Sequence, residues 1–326
     1  GGDAPALPQH SRALPAKPKP EQYVAPVQKS PAEHKIDIEQ ITGCTIPPSL
    51  TLRSSDPTLP GGSMAFDMEE YCLDAVALYM EVAGVKTVKN CSTPFCPDGS
   101  LIAADDCSQG TVGPVACKVL MKNLWLARLA RPDICKPIGD LATHLHCWTR
   151  NDDKKLCRLM GYIQASAKHR MCGYVHDEPA LLKLLLFVDA DFSGEVEHTR
   201  STSGGLLVLA GPKSWFPLAW LSRRQTSTSR STTEAEVVSL ATALYAEALP
   251  MMSLWDKILD RKIELFILED NQATIKVVER GYSAKLRHVS RTHKIDLGSM
   301  AEVIADDAVR LEYCHTSLQS ADIFTK

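Results

Sequence analysis

The sequence predicts an α/β fold, a mixed five-stranded sheet with flanking helices over residues 179–326, preceded by a small α-helical segment and a proline-rich N-terminus. Three observations predict it. The apolar pattern after Pro179 contracts into runs of strand length that end in acids or turns. Segments of helical period with recognisable stops separate the later runs. The 326 residues are 44% hydrophobic and 23% charged, a globular composition that excludes a wholly disordered or collagenous chain.

Residues 1–63 hold eleven of the 20 prolines and a single aromatic, Tyr23. Such a stretch buries too little surface to offset chain entropy, so a disordered spacer is expected. Residues 64–178 read as a helical unit. Phe66, Met68, Tyr71, Leu73, Ala75, Leu78 and Tyr79 suggest a helix ending near Gly84. The stretch from Val119 to Ala130 is strongly helical and stops at Arg131-Pro132-Asp133, and 138–148 and 154–167 complete the unit. In the last unit, 181–188, 203–209 and 215–221 read as strands. A long helix at 231–249 follows, broken at Pro250 before a second helix to Leu259. A strand at 263–268, helices at 272–279 and 293–304, a strand at 309–314 and a final helix from Leu318 give the order β-β-β-α(α)-β-α-α-β-α.

The 36 Lys and Arg against 39 Asp and Glu leave a net charge of 36 − 39 = −3, which carries no basic excess to announce a nucleic-acid partner. Its distribution says more. Arg280, Lys285, Arg287, Arg291 and Lys294 share a stretch with His288 and His293 and no acid, and Arg223, Arg224 and Arg230 form a second acid-free run. Of these, Arg223, Arg224, Arg230, Lys285, Arg287, Arg291 and His293 are candidate phosphate contacts, against the plainer reading of solvated loops. No uninterrupted run approaches 18 apolar residues, so neither a membrane span nor a membrane partner is expected. Eleven cysteines without a CxxC pair suggest reduced, intracellular thiols, and His144, His146 and Cys147 lack a second pair at zinc spacing. The chain opens Gly1-Gly2 without a signal segment and stops at Lys326 within a stretch read as helix. Both ends are therefore expected to be cuts through a longer product.

Four acids fall where a site would form. Asp189 ends the first strand, Glu234 lies in the first turn of the long helix, Asp270 ends the fourth strand, and Asp322 lies in the last helix. Converging carboxylates repel unless cations neutralise them, and hard oxygen donors suit Mg²⁺ or Mn²⁺. Each acid also has a structural role available. Glu234 can close a capping box with Ser231, Asp270 can cap the next helix, Asp322 can complement a helix dipole, and Asp189 with Asp191 can form a turn. Thr233 with Glu236 offers a second, overlapping box, so the helix start does not require Glu234 for that purpose.

The strings Val188-Asp-Ala-Asp191, Arg200-Ser-Thr-Ser-Gly-Gly205, Ser231-Thr-Thr-Glu-Ala-Glu236, Glu269-Asp-Asn-Gln-Ala273 and Ala321-Asp-Ile-Phe-Thr-Lys326 resemble, in order, the ribonuclease H domain of copia-type LTR retrotransposon Pol polyproteins. Arg131-Pro-Asp-Ile134, after Leu124-Trp-Leu-Ala-Arg-Leu129, resembles the segment that follows the polymerase active site there, and Tyr71 to Met80 with Ser92-Thr-Pro94 fit more weakly. The resemblance implies a ribonuclease H-like fold for 179–326 and a reverse-transcriptase remnant for 64–178. It makes Asp189, Glu234, Asp270 and Asp322 both the catalytic and the metal-binding acids, with two Mg²⁺ (or Mn²⁺) ions. The implied reaction is endonucleolytic cleavage of the RNA strand of an RNA–DNA hybrid, with one ion on the attacking water and one on the departing 3′ oxygen. The implied partners are the hybrid and the rest of the polyprotein, and the implied setting is the cytoplasm, in a virus-like particle, or the nucleus.

The sequence departs from the family in three places. Arg291-Thr-His-Lys-Ile-Asp296 exchanges the usual Lys-His order, Asp177-Glu-Pro179 interrupts the usual run from helix to strand, and Asp105-Asp106 lacks the flanking strands of a polymerase site. DNA polymerisation is therefore not expected. The alternative to an active nuclease is a non-catalytic retroelement relic or a nucleic-acid-binding scaffold. Integrase-like strand transfer would want its glutamate on a later helix.

Overall fold

The computed structural model describes residues 31–47, 53–54, 62–97, 99–192 and 200–326, so most of the expected spacer lies outside the described residues. The described part of 1–63 is not spacer. Pro31–Thr42 is helix α1, and Ile38, Cys44 and Ile46 are buried in the core. A helix-start signal was present in Ser30-Pro-Ala-Glu33, a capping-box spacing with proline at the first helical position, but the surrounding prolines masked it. Thr45 then donates from its N–H to the Gly211 carbonyl and from its hydroxyl to that of Pro212, which ties the segment to a distant hairpin.

Strands β1 (Arg53–Ser54) and β2 (Ser63–Phe66) precede helices α2 (Glu69–Ala83), α3 (Ala103–Asp106), α4 (Gly113–Leu129), α5 (Cys135–Thr143) and α6 (Arg150–Ala165). Asp105 and Asp106 sit in the short helix α3, where Lys154 and Asn151 bind them. A capping box between Thr149 and Asp152 starts α6, and Asp152 also holds His144 at 2.8 Å, which accounts for that histidine without a metal. Between α4 and α5, Arg131 is fully buried. Its guanidinium donates to Asp133 and to the carbonyl and hydroxyl oxygens of Ser166, while Tyr162 donates to Asp133, so the buried charge is fully partnered.

Strand β3 (His169–Tyr174) leads into the five expected strands: β4 (Lys183–Asp191), β5 (Thr202–Gly211), β6 (Ser214–Arg224), β7 (Leu265–Glu269) and β8 (Val309–Tyr313). Their order is β6-β5-β4-β7-β8, with β4, β5 and β6 antiparallel and β7 and β8 parallel to β4. The observed sheet is larger than the expected five strands: β3 pairs with β6, and β1 and β2 both pair with β3. These additions are short and lack the two-residue apolar alternation, so periodicity did not reveal them.

Alternation along β4 divides the core. Leu185 and Phe187 face a cluster shared with α2, α4, α5 and α6, whereas Leu184, Leu186 and Val188 face a second cluster beneath the later helices. Burying each such side chain contributes about 1.5–3 kcal/mol. The long helix runs as α7 (Thr232–Ala243), a π turn at Leu244–Ala248, and α8 (Leu249–Leu259). It does not break at Pro250, because the wider turn absorbs the residue that cannot donate a hydrogen bond. Thr232–Leu259 is long and apolar enough to cross a membrane by length and composition, although no single apolar run suggested it. Of its most apolar 18-residue stretch, 44% is buried within the fold, and α7 packs on β4 and β5. Helix α9 (Gln272–Arg280) ends at left-handed Gly281, and α10 (Val289–Thr292) and α11 (Leu297–Ile304) replace the single helix expected at 293–304. Lys294 at φ 60° ends the first of these, and Asp296 caps the second.

Candidate active site

The acids gather where β4 and β7 part. Their pairing runs from Leu184 with Leu265 to Phe187 with Leu268 and stops there, leaving a fork between adjacent strands whose neighbours lie on opposite sides. The buried Gln319 fills this fork, its amide donating to the carbonyls of Val188 at 2.8 Å and Leu268 at 3.3 Å. Asp189, still paired with β5, and Asp270, just past the end of β7, each lie two residues beyond the last pair, Phe187 with Leu268.

Asp189, Glu236 and Asp270 present carboxylate oxygens that all lie within 4.8 Å of one another. The helix therefore contributes Glu236, not the expected Glu234. Two residues apart on a helix is about 200° of rotation, so only one of the pair can face the sheet. Glu236 shares its face with Ser239 and Ala243, and the Ser239 hydroxyl donates to the carbonyls of Asp189 and Gly204. Close approach on this face needs glycine. A Cβ on Gly205 would lie 3.1 Å from the Ala243 Cβ, whereas one on Gly204 would point to the other face of β5, 2.7 Å from Thr325. The spacing Glu236, Ser239, Ala243 was the available signal, and the capping-box reading obscured it. Glu234 instead accepts from the Arg230 N–H and faces His288 and His293.

Asn271, not Asp270, caps α9 by accepting from Ala273 and Thr274, which leaves the Asp270 carboxylate to the site. Thr316 donates to Asp270 at 2.7 Å and the Thr325 hydroxyl donates to Asp189, so both carboxylates are held in orientation. Asp322 stands at the rim on a short 3₁₀ turn, Asp322–Phe324, rather than on the expected helix. Gln319 drawn into the fork and Phe324 buried in the core fix this segment as turns. The Lys326 ammonium bridges Asp322 at 2.7 Å and Asp189 at 4.0 Å. Asp191 ends β4 beyond the cluster.

Beneath the cluster lies Glu269, fully buried and not anticipated from the sequence. Its Oε1 accepts from the Asn271 N–H, while its Oε2 and the Oε2 of Glu236 are buried without a hydrogen-bond partner among the described residues. Burial, and then the neighbouring Glu269, Asp189 and Asp270, push Glu236 up to about 10. Burial also raises Glu269 well above the usual carboxylate range. Burial raises Asp189 too, with Asp322 adding to the rise and the Thr325 hydroxyl and Lys326 opposing it. Orphaned oxygens, crowded charge and an all-oxygen donor set fit a divalent cation.

The expected basic contacts divide. Arg223 and Arg224 end β6 and line a cleft of about 440 Å³ with His293, Lys294 and Tyr245. Arg230, Lys285, Arg287 and Arg291 are exposed, Arg287 with its guanidinium donating to the Tyr282 hydroxyl at 3.0 Å, whereas the His293 side chain is buried.

A meander of three consecutive antiparallel strands, β4, β5 and β6, extended past β4 by two strands parallel to it, with acids at the fork, defines a ribonuclease H-like fold. The chain is similar to retrovirus-related Pol polyproteins of copia-type transposons. It is 25% identical over 260 residues to that of transposon RE1 from Arabidopsis thaliana, covering 78% of this chain and 16% of the polyprotein. It is 24% identical over 221 residues to that of transposon TNT 1-94 from Nicotiana tabacum, covering 67% and 16% respectively. The chain thus spans about a sixth of the length of these relatives. A 120-residue stretch is 30% identical to the secreted RxLR effector protein 161 of Plasmopara viticola, over 37% of this chain and 80% of that protein. Among solved structures, LC11-RNase H1 isolated from compost aligns at a TM-score of 0.32 and 16% identity, over 44% of this chain and 91% of that one. No family model matches the chain.

Proposed function

We propose that this chain is a retroelement ribonuclease H that hydrolyses the RNA strand of RNA–DNA hybrids, as part of a larger Pol polyprotein. The convergence of Asp189, Glu236 and Asp270 at the β4–β7 fork carries the reading. These three would hold divalent ions, with Asp322 joining from the rim, and Mg²⁺ is the ion best matched to carboxylate oxygens. Such ions, when bound, strengthen a water nucleophile and offset charge on a leaving oxygen.

The chain's own groups supply the geometry. Gln319 sets the separation of the two strand ends. Thr325 and Thr316 fix the Asp189 and Asp270 carboxylates, and Ser239 anchors α7 so that Glu236 reaches the cluster. Lys326 places positive charge at the rim, where a phosphate would enter. The exposed Arg223, Arg230, Lys285, Arg287 and Arg291, with Arg224, offer phosphate contacts around the site. A hybrid would be read by backbone shape and 2′-hydroxyls rather than base sequence.

The test is cleavage of a labelled RNA–DNA hybrid by the purified chain with Mg²⁺. The expected result is cut RNA and intact DNA, no cutting with chelator, and no cutting by Asp270→Asn. A folded wild-type chain that binds hybrid but leaves its RNA intact would make the protein a nucleic-acid scaffold instead.

A further inference from the structure

The rim of the acid cluster carries a lysine whose backbone is built into the fold. The Lys326 N–H donates to the Asp322 carbonyl at 3.0 Å, and Phe324 and Thr325 before it are buried. The Ser222 hydroxyl fastens the turn by donating to the Phe324 carbonyl at 2.6 Å. The lysine side chain keeps its freedom, being 56% exposed.

Its ammonium donates to Asp322 Oδ1 at 2.7 Å and lies 4.0 Å from Asp189 Oδ2, the same oxygen that accepts from Thr325. The charge reaches further than these contacts. Burial raises both Asp189 and Glu236, and the Lys326 charge opposes that rise in each. Burial works against the ammonium as well, but Asp322, Asp189 and Asp270 outweigh it and raise the lysine. An ammonium among these carboxylates and a divalent ion bound by them are alternatives. Each offsets the same crowded negative charge, and like charges repel across a few ångströms. The ion pair is also easily given up. Exposed lysine–carboxylate pairs hold weakly, and a flexible four-carbon stem lets the ammonium swing to another anion. A backbone phosphate arriving at the rim is such an anion.

We propose that Lys326 is a positioning residue that couples ion binding to hybrid binding at the acid cluster. In the free chain its ammonium neutralises the carboxylates and competes with divalent ions. When a hybrid docks, a phosphate draws the ammonium away from Asp189, and the carboxylates take up ions with the substrate already in place. By linkage, hybrid and ion each raise the affinity of the other by the same factor. The role rests on the reading of Asp189, Glu236 and Asp270 as an ion site.

Mn²⁺ binding by the full chain, read from the electron paramagnetic resonance of free Mn²⁺, tests the competition without any hydrolysis. Lys326→Met should bind Mn²⁺ at least threefold more tightly than wild type, with circular dichroism unchanged. Lys326→Arg keeps the charge and should match wild type. Hybrid affinity with and without Ca²⁺, read by fluorescence anisotropy, tests the coupling. The tightening by Ca²⁺ should be at least twofold greater for wild type than for Lys326→Met. Equal Mn²⁺ affinity in wild type and Lys326→Met, or equal tightening by Ca²⁺ in both, would overturn the proposal and leave the ion site standing. No Mn²⁺ binding by either chain, or binding that Asp270→Asn leaves intact, would instead remove the acid cluster as the ion site, and this role with it.

Discussion

Glu236 and Glu269 set the electrostatic character of the site, each burying a carboxyl oxygen that makes no hydrogen bond among the described residues. The sign of the pH effect follows. Glu236 is held near 10 in the folded chain, against 4.5 in the open one, so the folded state retains a proton that the unfolded state releases as pH rises. Stability without divalent ions is therefore greatest below about pH 4.5, as far as this group is concerned, and falls as pH climbs toward 10. Glu269 acts in the same direction. Thermal melts in chelator should show the melting temperature declining across that window, and Mg²⁺ should restore more of it at pH 9 than at pH 6. A melting temperature in chelator that stays level or rises would contradict this. At this scale the sequence was a partial guide. Asp189 and Asp270 were legible because strand ends advertise themselves, but Glu234 and Glu236 share one motif and one helix. Only the packing of Ser239 and Ala243 against Gly204 and Gly205 decides which of the two faces the sheet.

The element that fixes the site's dimensions is the turn segment after β8, because Gln319 reaches back to bond the ends of both β4 and β7. Gln319→Leu keeps the approximate volume and removes both donors, leaving two buried carbonyls short of a partner at a cost of about 1–3 kcal/mol. The expected outcome is a lower melting temperature together with a fall in hydrolysis larger than the stability loss explains, because the two aspartates lose their fixed separation. Equal hybrid cleavage by Gln319→Leu and wild type would show that the fork holds without it. The sequence reading places a final helix here, opening at Leu318. The backbone instead follows two long-range anchors, Gln319 and Phe324, which local periodicity does not register. The extra strands escaped notice for the same reason. β2 and β3 exist because β6 offers an open edge, not because their own residues alternate.

Across the whole molecule, the near-neutral charge separates into a carboxylate cluster and basic groups around it, with Arg223 and Arg224 at the end of β6 and Lys285, Arg287 and Arg291 about α10. Hybrid binding should therefore weaken as salt rises. Replacing Arg287 or Arg291 by glutamine should reduce the slope of log affinity against log salt by about 1 for each phosphate no longer neutralised, with little dependence on sequence. A slope that neither substitution changes would remove these residues from the interface. If Asp189, Glu236 and Asp270 form the hydrolytic centre, the rate of RNA-strand cleavage in a labelled hybrid under saturating Mg²⁺ separates wild type, Glu236→Gln and Glu234→Gln. Partners of metal ligands alone cost about 10–100-fold when removed, so loss of a ligand should cost at least about a hundredfold. Folded Glu236→Gln is expected to lose cleavage to at least that extent. Cleavage by Glu236→Gln at the wild-type rate, with Glu234→Gln inactive, would contradict it.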